Sequence, residues 1–279
     1  MAQGRVEADA LSFHVDRIDA DRIDELVGIL DLQAELPGIR RMRRWAHEVL
    51  AVSTGERALD IGAGTGSEVL VFAKRVGEDG AAVGVDPNPS MLAIARERAE
   101  AACSAARFVH GSVYHLPFPD AAFDAVRCER VYQHLDDPAA ATAEIARVLR
   151  PGGRVLLIDS DWYTAITHPG DPDVVAALGA AMLADMPNPA SGRRLRGLLV
   201  AAGFAVDDQG SEAVIWDPVT ARPLYQQMNE LAGQRGTVTR EEYDRFLADL
   251  DAGIERGDFH LSVTMFAILA HKLRSRGPE

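Results

Sequence analysis

Residues 58–66 read ALDIGAGTG, a run able to hold a charged ligand with bare backbone. An apolar stretch (Ala58, Leu59, Ile61) delivers Asp60 and then Gly62, Gly64 and Gly66 into a turn ahead of a helical segment, 67–76. Glycine tolerates positive φ and admits a ligand close to the main chain, and a helix start presents free N–H groups. A second apolar run, AAVGVD at 81–86, ends in Asp86, about twenty residues past Gly66. That is the offset at which a carboxylate meets a ribose diol. A glycine turn of this kind also introduces NAD. Here, however, the third glycine falls one residue early for GxGxxG, Asp60 precedes the first glycine and Glu68 follows the last. Carboxylates so placed attract an ammonium-bearing ligand and repel a diphosphate.

Further on stand HGSVYHLPFPDAAFDAVRCERVYQHLDD at 110–137 and RVLRPGGRVLLID at 147–159. Together these motifs resemble the class I S-adenosylmethionine-dependent methyltransferases over about residues 55–160. The wording is nearest to small-molecule enzymes of the ubiquinone and menaquinone-biosynthesis type, which include natural-product tailoring enzymes. The resemblance implies an α/β, Rossmann-like sheet of seven strands, six parallel and the last antiparallel, with a helical lid. It implies S-adenosylmethionine as cofactor, with Asp60, Gly62, Ala63, Gly64 and Gly66 at its methionine moiety, Asp86 and Pro87 at the ribose, and Met91 on the adenine. Gly111, Ser112 and Val113 end the third strand, where many members carry Gly-Asp-Ala; the Ser112 hydroxyl and Val113 amide then serve the adenine edge. Glu129 and Arg130 close the fourth strand, beside the sulfonium and the acceptor.

For the acceptor the residues say less. His134 is the candidate general base, since imidazole titrates near neutrality; the alternative is a histidine bonded to backbone where a helix starts. The Asn/Asp-Pro-Pro-Tyr signature of base and amide N-methylation is missing after the fourth strand. Asp159, Asp161, Trp162 and Tyr163 are expected just after the fifth strand, with His168 beyond. A carboxylate pair there suggests a cation, but a third ligand is not evident and no metal is expected. The run Arg40, Arg41, Arg43, Arg44 reads as a solvated face, or as the source of one arginine for the cofactor carboxylate. The expected activity is methylation of a small organic molecule, oxygen favoured. The alternatives are C-methylation of a quinone precursor, or cofactor binding without methyl transfer.

Positioning these groups takes alternating strands (57–61, 81–86, 106–110, 123–128, 153–159) and helices, hence a parallel sheet covered on both faces. Two amphipathic helices precede it, with stripes Ile23, Leu26, Val27, Leu30 and Ile39, Met42, Ala46, Val49. Helices are also expected at 138–149, behind an Asp137 cap, and at 172–185, 191–202, 221–234 and 239–256, the last opened by the TREE capping box. The expected division is an N-terminal helical cap (1–54), a cofactor-binding core (55–217 and 257–279) and a helical lid (218–256). A net charge of −13 argues against a nucleic-acid partner. Two cysteines exclude a disulfide framework. With no secretory or membrane-spanning pattern, a cytoplasmic location is expected. Of 29 basic residues only Lys74 and Lys272 are lysines, the bias of GC-rich bacterial genomes, where secondary metabolism is common.

Overall fold

The computed structural model describes residues 23–274; the expectations for 1–22 and 275–279 lie outside the described residues. In chain order the strands are β1 (Arg57–Ile61), β2 (Ala81–Asp86), β3 (Arg107–His110), β4 (Phe123–Glu129), β5 (Leu149–His168), β6 (Phe204–Trp216) and β7 (His260–Lys272). The helices are α1 (Ile23–Glu35), α2 (Pro37–Leu50), α3 (Ser67–Val76), α4 (Pro89–Ala101), α5 (Pro138–Val148), α6 (Pro172–Leu183), α7 (Ser191–Ala201), α8 (Pro218–Arg235) and α9 (Arg240–Arg256). One sheet takes the order β3-β2-β1-β4-β5-β7-β6, with six parallel strands and β7 antiparallel, as expected. The register pairs Asp60 with Gly84 on one side and Arg127 on the other. The carboxyl ends of β1, β2 and β4 therefore open on the same edge, where ligands of parallel sheets bind.

Local chemistry sets the element ends. Asn88 caps α4 by accepting from the Ser90 and Met91 N–H groups, Asp137 caps α5 through Ala140, and Thr239 and Glu242 form the capping box of α9.

The chain divides into two compact units. Among the described residues, one comprises 41–160, 190–211 and 265–274. Its core packs Leu59, Ile61, Val83, Val85, Val126 and Val155 from the sheet with Ile145 and Leu199 from helices. Among the described residues, the other comprises 23–40, 161–189 and 212–264. There Leu178 and Met182 of α6 share a core with Leu224, Tyr225 and Met228 of α8 and Phe246 of α9. These boundaries differ from the expected cap, core and lid because α6 buries its apolar face in the same core as α8 and α9. The structure also corrects one strand. Asp159, Asp161, Trp162, Tyr163 and His168 lie inside β5, not after it. The run from Trp162 to Thr167 is rich in aromatic and β-branched residues, and the strand continues until Pro169 removes an N–H.

Candidate cofactor site

Gly62, Gly64 and Gly66 all take positive φ, at 71°, 49° and 82°. The loop is tied to β2, whose Val85 carbonyl accepts from the Gly62 and Ala63 N–H groups at 2.8 and 3.0 Å. A Cβ on Gly62 would lie 2.3 Å from Val131, and one on Gly66 2.6 Å from Phe108, so packing alone demands glycine at both. A Cβ on Gly64 would meet nothing within 4 Å. The space beside Gly64 is what a ligand needs in order to approach the backbone.

Asp86 faces the same loop. Its Oδ2 accepts from the Gly64 N–H at 2.8 Å and its Oδ1 from the Asn88 N–H at 2.8 Å. Burial raises the Asp86 pKa, and these two N–H bonds oppose the rise. Each oxygen has a further lone pair, so the carboxylate retains capacity for two hydroxyl donors. Around it, the Pro87 carbonyl bonds His110 Nε2 at 3.0 Å, the Gly111 N–H donates to the Asp86 carbonyl at 3.2 Å, and Met91 is buried at the start of α4. Ser112 Oγ accepts from the Tyr114 N–H at 3.2 Å. The Val113 side chain is packed into the core, which leaves its backbone as the part able to meet a ligand.

At the ends of β1 and β4 the carboxylates behave differently. Arg127 Nη1 donates to Asp60 Oδ1 at 3.0 Å, and its Nη2 bonds Glu129 and lies 3.5 Å from Glu68. Arg43, from α2, donates to Glu129 Oε1 at 2.9 Å and lies 3.6 Å from Glu68. His47 Nε2 is 3.0 Å from the same Glu68 carboxylate, and Arg130 Nε is 3.6 Å from Glu129. Asp60 and Glu129, expected to face a ligand, thus spend their charge on arginines within the protein. Arg43, expected on a solvated face or at a ligand, is instead bound to two carboxylates. The cause is desolvation: a buried carboxylate needs a counter-charge. Burial pushes the Asp60 pKa up to about 6 against the pull of Arg127. At Glu68 burial is outweighed by Arg127, His47 and Arg43, and the pKa falls to about 2. Glu129 lies well below the usual range, because Arg43, Arg127 and Arg130 together overcome its burial.

Past β4, Arg130 adopts φ +57°, a conformation that costs a non-glycine residue about 1 kcal/mol. Its N–H donates to the Ile158 carbonyl of β5 at 2.9 Å. The next residues, Tyr132–His134, form one 3₁₀ turn. His134 Nε2 lies 3.1 Å from Gln133 Nε2, and the Gln133 N–H donates to Asp159 Oδ2 at 3.1 Å. Among the described residues, no group of three or more His, Cys, Asp and Glu is arranged to hold a metal ion. Sequence reasoning missed Arg127. Its signal is a lone arginine in the apolar strand FDAVRCE, which must face a counter-ion across the register.

A family model described as a methyltransferase domain matches residues 59–157. An uncharacterised transposon-borne protein of Streptomyces fradiae is 31% identical over 268 residues, covering 95% of this chain and 76% of its own length. The demethylmenaquinone methyltransferase of Thermus thermophilus is 39% identical over 140 residues, covering 50% of this chain; the match spans only 61% of that relative. Among solved structures, phosphoethanolamine N-methyltransferase 2 of Haemonchus contortus, in complex with S-adenosyl-L-methionine, superposes with a TM-score of 0.59 at 19% identity. It covers 95% of this chain and 60% of its own. A glycine loop with open space at Gly64, an acid with spare acceptors at the end of β2, and these likenesses agree: the chain belongs to the class I S-adenosylmethionine-dependent methyltransferases, and S-adenosylmethionine is its cofactor.

Proposed function

We propose that the protein transfers the methyl group of S-adenosylmethionine to a small organic acceptor, with oxygen as the favoured atom. The observation that carries the reading is the pairing of Gly64 and Asp86: an open backbone position and a carboxylate with unused lone pairs, joined by one hydrogen bond. Gly62 to Gly66 would hold the methionine portion, above the cluster in which Asp60, Glu68 and Glu129 pair with Arg43, Arg127 and Arg130. Asp86 and Pro87 would take the ribose, and Met91, Gly111, Ser112 and Val113 the adenine. When bound, the cofactor supplies an electrophilic methyl on a sulfonium. The protein's part is then mainly orientation and exclusion of water, worth roughly 7–11 kcal/mol where alignment is good. Arg130 and the 131–134 turn would border the reacting atoms, with His134 available to accept a proton from a hydroxyl.

A second reading, C-methylation of a quinone precursor, is favoured by the likeness to the Thermus enzyme. The expectation that the helical segment 218–256 acts as a lid belongs to the methyl-transfer reading. Slower hydrogen exchange in 218–256 when cofactor and acceptor are present together would support that assignment, and exchange that ignores both would remove it. A cytoplasmic location and a partner that is a small molecule rather than nucleic acid belong to the same reading. No described helix is long and apolar enough to cross a membrane. The test is incubation of the purified protein with methyl-labelled S-adenosylmethionine and a panel of phenols and demethylated quinols, with products read by mass spectrometry. Label on oxygen supports the first reading and label on ring carbon the second. Cofactor binding with no turnover across the panel favours a protein that binds without transferring methyl.

A further inference from the structure

Asp159 is fully buried in β5, within the unit that carries the cofactor site. Its carboxylate joins two pieces of chain that are distant in sequence. Oδ2 accepts from the Gln133 N–H at 3.1 Å, Oδ1 accepts from the Ser160 N–H at 2.7 Å, and the Ser191 hydroxyl at the start of α7 bonds the same side chain. Ser191 also donates to the Ser160 carbonyl at 3.0 Å. A Cβ on Gly192 would lie 2.7 Å from the Asp159 carbonyl, so α7 packs tightly on β5 here. The bonds that tie the turn after β4 to β5 include Arg130 N–H to Ile158 and Gln133 N–H to Asp159. The second has an ionisable acceptor, and hydrogen bonds to a charged acceptor are roughly twice as strong as neutral ones.

We propose that Asp159 is a positioning residue: its carboxylate fixes the 131–134 turn onto β5 and so sets where Gln133 and His134 stand beside the end of β4. The inference rests on the methyl-transfer reading, because the placement of this turn matters to the reaction only if the acceptor meets it.

Burial pushes the Asp159 pKa up to about 7, against the bonds from Ser160, Gln133 and Ser191. Among the groups facing it are Cys128 and Arg130 around the end of β4, Tyr132 in the turn and Ser191 on α7. Cys128 and Tyr132 are both pushed up by burial and stay protonated near neutrality, and Arg130 stays charged. Of this set, Asp159 is the group that changes charge between pH 5.5 and 8.5. Protonation spends one acceptor site on a hydroxyl and loosens the hold on the Gln133 N–H.

The experiment is amide hydrogen exchange on the full chain, in wild type, Asp159→Asn, Asp159→Ala and, as a control for the neighbouring imidazole, His134→Asn. Rates are corrected for the intrinsic pH dependence, with β1 amides as internal reference. In wild type and His134→Asn, protection of 131–134 should fall about tenfold as pH drops through 7. Asp159→Asn should show the low-pH level at every pH, and Asp159→Ala a lower one. If Asp159→Ala fails to fold, Asp159→Asn against wild type carries the comparison. The same protection and pH dependence in wild type and Asp159→Asn would overturn the proposal, as would loss of the pH dependence in His134→Asn. Calorimetry with S-adenosylhomocysteine accompanies each sample and should stay within about twofold. Failure of wild type to bind it would count against the methyltransferase reading, while the exchange comparison would still decide the role of Asp159.

Discussion

Two carboxylate sites stand at adjoining strand ends and use their charge in opposite ways. Asp86, at the end of β2, is bonded by two backbone N–H groups among the described residues, one from the glycine loop and one from the start of α4. Asp60 and Glu129, at β1 and β4, are held by arginine side chains from β4 and α2. An N–H bond leaves a carboxylate its net charge and some of its lone pairs, whereas an arginine fork consumes both. Acid residues at strand ends of one fold are therefore not equivalent. Asp86 keeps acceptor capacity beside the glycine loop, while Asp60, Glu68 and Glu129 are tied into the protein by Arg43, Arg127 and Arg130.

Substitutions that separate the two roles test that contrast, and the largest effect belongs to the hub of the ion cluster. Arg127→Leu leaves Asp60, Glu68 and Glu129 short of their shared counter-charge in a buried place. It should cost about 3–5 kcal/mol in urea denaturation. A loss under about 1 kcal/mol would mean that the cluster is not sealed from water. Next come two glycines of the loop. Gly62→Ala adds a left-handed strain of about 1 kcal/mol to a Cβ clash with Val131, so stability should fall by about 2–4 kcal/mol. Gly64→Val places its side chain in open space, and it should lose cofactor affinity by more than tenfold with a stability cost of only about 1–2 kcal/mol. Equal stability losses at the two positions would erase the distinction between a packed and a ligand-facing glycine.

The smallest effect is one of pH. Glu68 has a folded pKa near 2 against an ordinary 4.5, so its stabilisation is present above 4.5 and lost as pH falls toward 2. Asp60 has the opposite sign: its pKa is raised from 3.8 to about 6, so its ionisation costs stability as pH rises through that window. Glu68→Gln should therefore be less stable than wild type at neutral pH, and the gap should close as pH approaches 2. A gap that persists unchanged to pH 2 would show that Glu68 acts by packing rather than by charge.

What was legible in the sequence was local. The glycines, Asp86, the Asp137 cap and the TREE box each act within a few residues, and their residue types carry the physical reason. The β1–β2–β3 region and α3 were readable for that cause. The ion cluster was not, since the bond from Arg43 to Glu129 spans 86 positions and depends on which faces α2 and β4 present. The Asp60 and Arg127 pair required the β1–β4 register, which two isolated strands do not specify. The extension of β5 past Asp159 was hidden by polar residues that read as a strand end, although Trp162 to Thr167 favour strand. The hold of Asp159 on Gln133 likewise needs the two strand ends side by side.

The most direct measurement of the central claim is calorimetric titration of S-adenosylhomocysteine into wild type and Asp86→Ala, with far-ultraviolet circular dichroism to confirm folding. A carboxylate that accepts from two ribose hydroxyls contributes charge-assisted hydrogen bonds, so the variant should bind more weakly by about 1.5–3 kcal/mol, roughly 10- to 150-fold. A folded Asp86→Ala that binds S-adenosylhomocysteine as wild type does would contradict the placement of the cofactor against β2 and the glycine loop.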